Sequence, residues 1–94
     1  MYIIQTSMKF FEWDTRKNEW LIKNRGISFE MCITCIEQGH LLADTYNEPA
    51  RPLQRVFIIN IEGYAYKVPY VEDEEKIFLK TAFPSRDATR QYLR

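Results

Sequence analysis

Two hydrophobic periods divide the chain. From Asp14 to Gly39 the apolar positions recur at three and four residues, and from His40 to Phe83 they alternate. Asp14 reads as the N-cap of a helix over about 15–24, with Lys17, Trp20, Leu21 and Asn24 at helical spacing and Gly26 just past its end. Ser28 caps a second short helix carrying the stripe Phe29, Cys32, Ile33 and Ile36, closed by Gly39. The alternating half predicts strands over 40–46, 55–61, 64–71 and 76–83. A polar loop with Asn47, Pro49 and Pro52 joins the first pair, Glu62 and Gly63 make a tight hairpin turn, and the acids Glu72, Asp73, Glu74 and Glu75 make the last turn. Pro84 ends the final strand, and Ser85 caps a helix through Arg86, Ala88, Thr89, Arg90 and Leu93. Residues 1–9 and the aromatic run that follows them show no clear period and fit either an arm or a short edge strand. The expectation is one α+β domain over 1–94: two N-terminal helices, a four-stranded antiparallel meander and a C-terminal helix.

Pairing arithmetic sharpens this picture. With Glu62 and Gly63 as loop residues, Ile61 faces Tyr64, Ile59 faces Tyr66 and Phe57 faces Val68, all on one side. With 72–75 as the next loop, Tyr70 faces Ile77 and Val68 faces Leu79 on that same side. The opposite side then carries Val56, Ile58, Pro69, Val71 and Phe78, too apolar for water. The last helix, the N-terminal arm or a partner protein must cover it. On that side Lys67 falls opposite Lys80, with Cβ atoms about 5 Å apart. Either a bound phosphate relieves their repulsion, with Arg86 and Arg90 close by, or both ammonium groups snorkel into solvent.

Composition narrows the function classes. Thirteen Lys plus Arg balance thirteen Asp plus Glu in 94 residues, so affinity for nucleic acid must come from a local patch. Basic residues gather after Lys76, whereas 28–48 holds four acids and no Lys or Arg. No apolar run is long enough to span a bilayer and no signal peptide is evident, which points to the cytoplasm. Cys32 and Cys35 spell CxxC inside a helical stripe, without a second Cys/His pair for zinc, and read as core thiols. His40, the only histidine, has no recognisable partner. The acids at 72–75 read as a solvated hairpin loop, with Glu72 the exception. From the strand end, its carboxylate suits a general base toward a ribose 2′-hydroxyl if Lys80, Arg86 or Arg90 holds the phosphate. That cleavage requires no metal and no cofactor.

The blocks Phe11-Glu12-Trp13-Asp14, Lys17-Asn18 and Arg25-Gly26-Ile27-Ser28-Phe29-Glu30 resemble the N-terminal signature of the BrnT family of bacterial toxins. Tyr70-Val71-Glu72 and Ser85-Arg86 with Ala88-Thr89 resemble that family's Y-x-E and C-terminal segment. The resemblance implies a RelE-like fold and a type II toxin, a small ribonuclease held inactive in a hetero-oligomer with a ribbon-helix-helix antitoxin of the BrnA kind. Carried over by position, it implies roles for Glu72, Ser85, Arg86 and Arg90; Lys67 and Lys80 come from strand pairing. The family's histidine before the first-block glycine is Arg25 here, which suits phosphate binding but not proton shuttling. Phe83-Pro84 precedes Ser85, and Asp87 stands where the family carries a base.

Two classes of function follow. One is a metal-independent endoribonuclease with Glu72, Lys80, Arg86 and Arg90 in catalysis and Lys67, Ser85 and Arg25 on the RNA. The other is a non-catalytic protein-interaction module of the same fold, which Arg25 and Asp87 favour. A stand-alone RNA-binding domain is opposed by zero net charge and by the lack of an RNP or KH motif.

Overall fold

A computed structural model describes residues 9–46 and 54–94 in full and 2–4 as backbone. The proline-containing loop and the rest of residues 1–8 lie outside the described residues. The elements are β1 (Tyr2–Ile4), β2 (Lys9–Trp13), α1 (Thr15–Arg25), α2 (Phe29–Glu37), β3 (Leu41–Tyr46), β4 (Arg55–Ile61), β5 (Tyr64–Glu72), β6 (Lys76–Leu79), β7 (Phe83–Pro84) and α3 (Arg86–Leu93). The fold is α+β, and among the described residues no helix is long and apolar enough to cross a membrane.

Start and stop signals act as the sequence predicts. The Asp14 carboxylate accepts from the Arg16 amide at 2.8 Å, and Gly26 ends α1 at φ +68, where a Cβ would be strained. The Ser28 hydroxyl accepts from the Met31 amide at 3.0 Å to open α2. Buried Asn18 couples the two helices: its Oδ1 accepts from the Phe29 amide at 2.7 Å and its Nδ2 donates to Glu30 Oε1 at 2.9 Å.

The sheet corrects the expected four-stranded meander. Its order is β1-β2-β6-β5-β4-β3, with β7 on β5, so β3 to β6 do form an antiparallel meander but two N-terminal strands extend it. β2 runs parallel to β6, with Phe11 level with Ile77, which makes the sheet mixed. The aromatic run escapes period analysis because Phe11 is buried while its neighbour Phe10, on the opposite face, is exposed yet also apolar.

The β4–β5 register is the expected one, from Arg55 level with Tyr70 to Ile61 level with Tyr64. Glu62 and Gly63 form its turn at φ +53 and +85, and Asn60 Oδ1 accepts from the Gly63 amide at 2.7 Å. The β5–β6 register differs by two residues: Tyr70 is level with Leu79 and Glu72 with Ile77. The cause is Asp73, whose amide donates to the Lys76 carbonyl at 3.0 Å while its Oδ1 accepts from the Glu75 and Lys76 amides at 2.8 and 2.9 Å. The loop therefore shortens to Glu74–Glu75. Because the shift is even, every side chain keeps its face.

One face, with Phe57, Ile59, Val68, Tyr70, Ile77 and Leu79, packs on Leu21 of α1 and on Phe29, Cys32 and Ile33 of α2. Phe57 stacks on Tyr70 at 4.0 Å between ring centroids. On the opposite face α3 lays Ala88, Tyr92 and Leu93 over Val56, Ile58 and Ala65. Of the covers left open by the sequence, the C-terminal helix is the one that seals that part.

Candidate phosphate-binding cleft

The start of α3 is fixed to the start of β5 through one residue. The Ala65 carbonyl accepts from the Ser85 amide at 2.9 Å, and the Ala65 amide donates to Thr89 Oγ1 at 2.8 Å. Thr89 Oγ1 also donates to the Ser85 carbonyl at 2.8 Å, and Ser85 Oγ accepts from the Ala88 amide at 3.1 Å. Ser85 thus serves α3 as its N-cap. With Ala88, Thr89, Tyr92 and Leu93 facing the sheet, positions i, i+4 and i+8 fall on the open side, and these are Arg86, Arg90 and Arg94.

These three arginines, with Tyr64 and Thr89, line a cleft of about 240 Å³ beside the β4–β5 turn. Among the described residues no Asp or Glu side chain lines it. Arg90 Nη2 bonds to Asp87 Oδ1 at 2.7 Å, but both side chains are largely exposed, and such a pair is weak in water. Guanidinium groups pair with phosphate through two parallel N–H donors, so the cleft offers several donors to one or two phosphates of a strand. Tyr64, an exposed ring in edge contact with Tyr66 at 6.3 Å, supplies a stacking surface at the rim.

The other sequence-predicted residues do not join this cleft. Lys67 is level with Phe83 of β7, not with Lys80. The two-residue shift in β6 separates the lysines, because it sets Lys80 beside Pro69, whose carbonyl accepts from the Lys80 amide at 2.8 Å. The Lys80 ammonium lies 5.6 Å from the Phe78 ring centroid. The expected like-charge pair is therefore absent. Arg25 Nη1 donates to the Ala82 carbonyl at 2.7 Å, and its guanidinium lies 4.7 Å from the centroid of Trp20.

Glu72 stands at the opposite end of β5 from Tyr64, eight residues or about 26 Å along an extended strand. Its Oε2 accepts from Lys9 Nζ at 2.8 Å, which ties β2 to β5. Near it lies a second polar group. Tyr70 donates to Asp44 Oδ1 at 2.6 Å, and Arg55 Nη2 pairs with the same oxygen at 3.2 Å. Burial raises the Tyr70 phenol above its ordinary value, and the Asp44 bond and charge add to the rise. Arg55 Nε is buried without a hydrogen-bond partner among the described residues.

Cys32 is a core thiol, and Cys35, half-buried, packs against the same cluster. Both are free; burial pushes Cys32 up to about 12 and raises Cys35, so both are protonated near neutrality. Among the described residues no group of three His, Cys, Asp or Glu side chains suits a metal ion. Sequence reasoning named Arg86 and Arg90 but missed Arg94 and Tyr64. The four-residue spacing of the arginines carried the signal for Arg94; Tyr64 needed the docking of α3 on Ala65.

Comparison of the chain with family models, with curated proteins and with solved structures found no match.

Proposed function

We propose that this chain is the toxin of a bacterial type II toxin–antitoxin pair, a cytoplasmic endoribonuclease that resembles the BrnT family and is neutralised by a ribbon-helix-helix antitoxin. The observation that carries the reading is the convergence of Arg86, Arg90 and Arg94 with Tyr64 on one cleft that no Asp or Glu side chain lines among the described residues. In a chain of zero net charge such a patch is the local concentration that RNA affinity demands. The arginines hold backbone phosphate and stabilise the charge that grows on it when the 2′-hydroxyl attacks, while Tyr64 stacks a base. Glu72 is too far along β5 to serve the same phosphate, so a general base for this cleavage is not assigned to it.

A second reading, the non-catalytic module, is favoured by a specific observation: among the described residues no Asp, Glu or His side chain lines the cleft, and Glu72 is occupied by Lys9. Induced expression of the chain alone, with growth and total RNA followed together, separates the two. Growth arrest with RNA loss, abolished in a folded Arg86→Ala, Arg90→Ala, Arg94→Ala variant, supports the nuclease. Normal growth and intact RNA, in cells that accumulate the folded chain, support the module, and binding of purified protein to a labelled single-stranded RNA tests the cleft by itself. Each arginine that pairs with a phosphate steepens the log–log salt dependence of that binding by about 0.7, so its removal flattens the slope by the same amount. A folded chain that neither arrests growth nor binds RNA overturns the nuclease reading.

A further inference from the structure

On the helix-pair side of the same β4–β5 turn lies a second, larger concavity of about 400 Å³, lined by Glu30, Met31, Thr34, Cys35, Gln38, His40, Ile61 and Glu62. Its floor is apolar, from Ile61 and the half-buried Cys35, and Met31 is 41% exposed at its wall. Two carboxylates stand on its rim, and among the described residues no lysine or arginine lines it. The sequence enforces that sign over a wide area, because between Arg25 and Arg51 the chain has four acids and no lysine or arginine. Glu30 is also held in place, since Asn18 Nδ2 donates to its Oε1 at 2.9 Å.

We propose that this groove docks a segment of a partner protein that presents a lysine or arginine beside a large apolar side chain. The apolar residue fills the floor over Ile61 and the flexible Met31, and the cation sits between Glu30 and Glu62. A second copy of this chain is the poorer occupant. Its basic patch on α3 lies on a different surface from the groove, so such a contact would be head-to-tail, building rings or open chains and not the two-fold dimer that is commonest among homo-oligomers. Its apolar α3 residues are already packed on the sheet. Only the turn separates the groove from the cleft, since Ile61 and Glu62 line one and Tyr64 the other. A segment of about ten residues seated in the groove therefore reaches the cleft and competes with RNA; this consequence rests on the proposed RNA reading, and the docking itself does not.

Fluorescence anisotropy of the whole chain with a labelled amphipathic leucine–lysine peptide, and with its leucine–glutamate counterpart, tests the docking. The lysine peptide is expected to bind at least about tenfold tighter, a difference of about 1.4 kcal/mol. A Glu30→Gln, Glu62→Gln variant, which keeps an amide oxygen for Asn18, should lose about tenfold for the lysine peptide, and Met31→Lys at its exposed site should abolish binding. The triple arginine variant should bind the peptide as the parent does, which separates failure here from failure of the RNA reading. Equal affinity for both peptides, or unchanged affinity in the glutamine variant and in Met31→Lys, overturns the proposal. Concentration-dependent self-association that Met31→Lys removes assigns the groove to a second copy and overturns it as well.

Discussion

On one face of the sheet two helices enclose a core in which Leu21, Phe29, Ile33 and Ile59 are fully buried; on the other a single eight-residue helix covers Val56, Ile58 and Ala65. The first face gains its stability from aromatic and β-branched volume, including the stacked Phe57 and Tyr70. The second holds its helix with small side chains and the hydrogen bonds of Ser85 and Thr89 to Ala65. The thinner cover leaves the outer side of α3 in solvent, where an arginine stripe costs nothing in packing. The larger core thus sits on one side of the sheet, and the arginine stripe on the other.

The largest test of this contrast is a pair of truncations. Ile59→Ala removes a side chain with no exposure and should cost about 3 kcal/mol or more, whereas Val56→Ala should cost about 1.5 to 2 kcal/mol. Urea unfolding of both variants reads the difference directly. The reverse order would mean that the α3 side carries the fold.

Next come the two polar joints. Asn18→Ala leaves the Phe29 amide unpaired inside the α1–α2 junction and should cost about 2 kcal/mol. Thr89→Val keeps its volume but strands the Ala65 amide, for about 1 to 2 kcal/mol. Hydrogen exchange distinguishes the two: Thr89→Val should speed exchange at Ala65 and along α3 while leaving α1 and α2 protected. Uniform acceleration across both faces would show that α3 does not open as a separate unit.

How much of this was legible follows the strength of local signals. Caps at Asp14, Ser28 and Ser85 and the Glu62–Gly63 turn are short-range devices, and they placed the helices and the β4–β5 register. β2 was not legible, because a parallel partner 66 residues away leaves no mark on Phe10 to Trp13 beyond an ambiguous apolar run. Four consecutive acids concealed which of them is the turn residue; Asp73 takes that role through its side-chain oxygen, and that shift dissolved the Lys67–Lys80 pairing. Of the site, the α3 arginines were readable from spacing. The cleft was not, because it exists only where α3 meets Ala65 beside Tyr64.

The last expected effect appears only in alkali, and it arises on the helix-pair face. Cys32 and Tyr70 are both buried there, and both hold their protons above their ordinary values of 9.0 and 10.0. Their contribution to stability is complete below those values. Above pH 9 the unfolded chain releases the Cys32 proton while the folded chain keeps it up to about 12, and above pH 10 the same holds for Tyr70. The unfolded state then binds fewer protons than the folded one, so stability falls as pH rises, by at most about 1.4 kcal/mol per pH unit for each group. Tyr70→Phe removes one of the two contributions and keeps the ring that stacks on Phe57. Thermal unfolding between pH 8 and 11 should therefore show a shallower decline in Tyr70→Phe than in the parent above about pH 10, with the two curves parallel below it. Parallel curves throughout would mean that the Tyr70 hydroxyl titrates freely, and that the Asp44–Tyr70 end of this face is open to water where the α1–α2 core is closed.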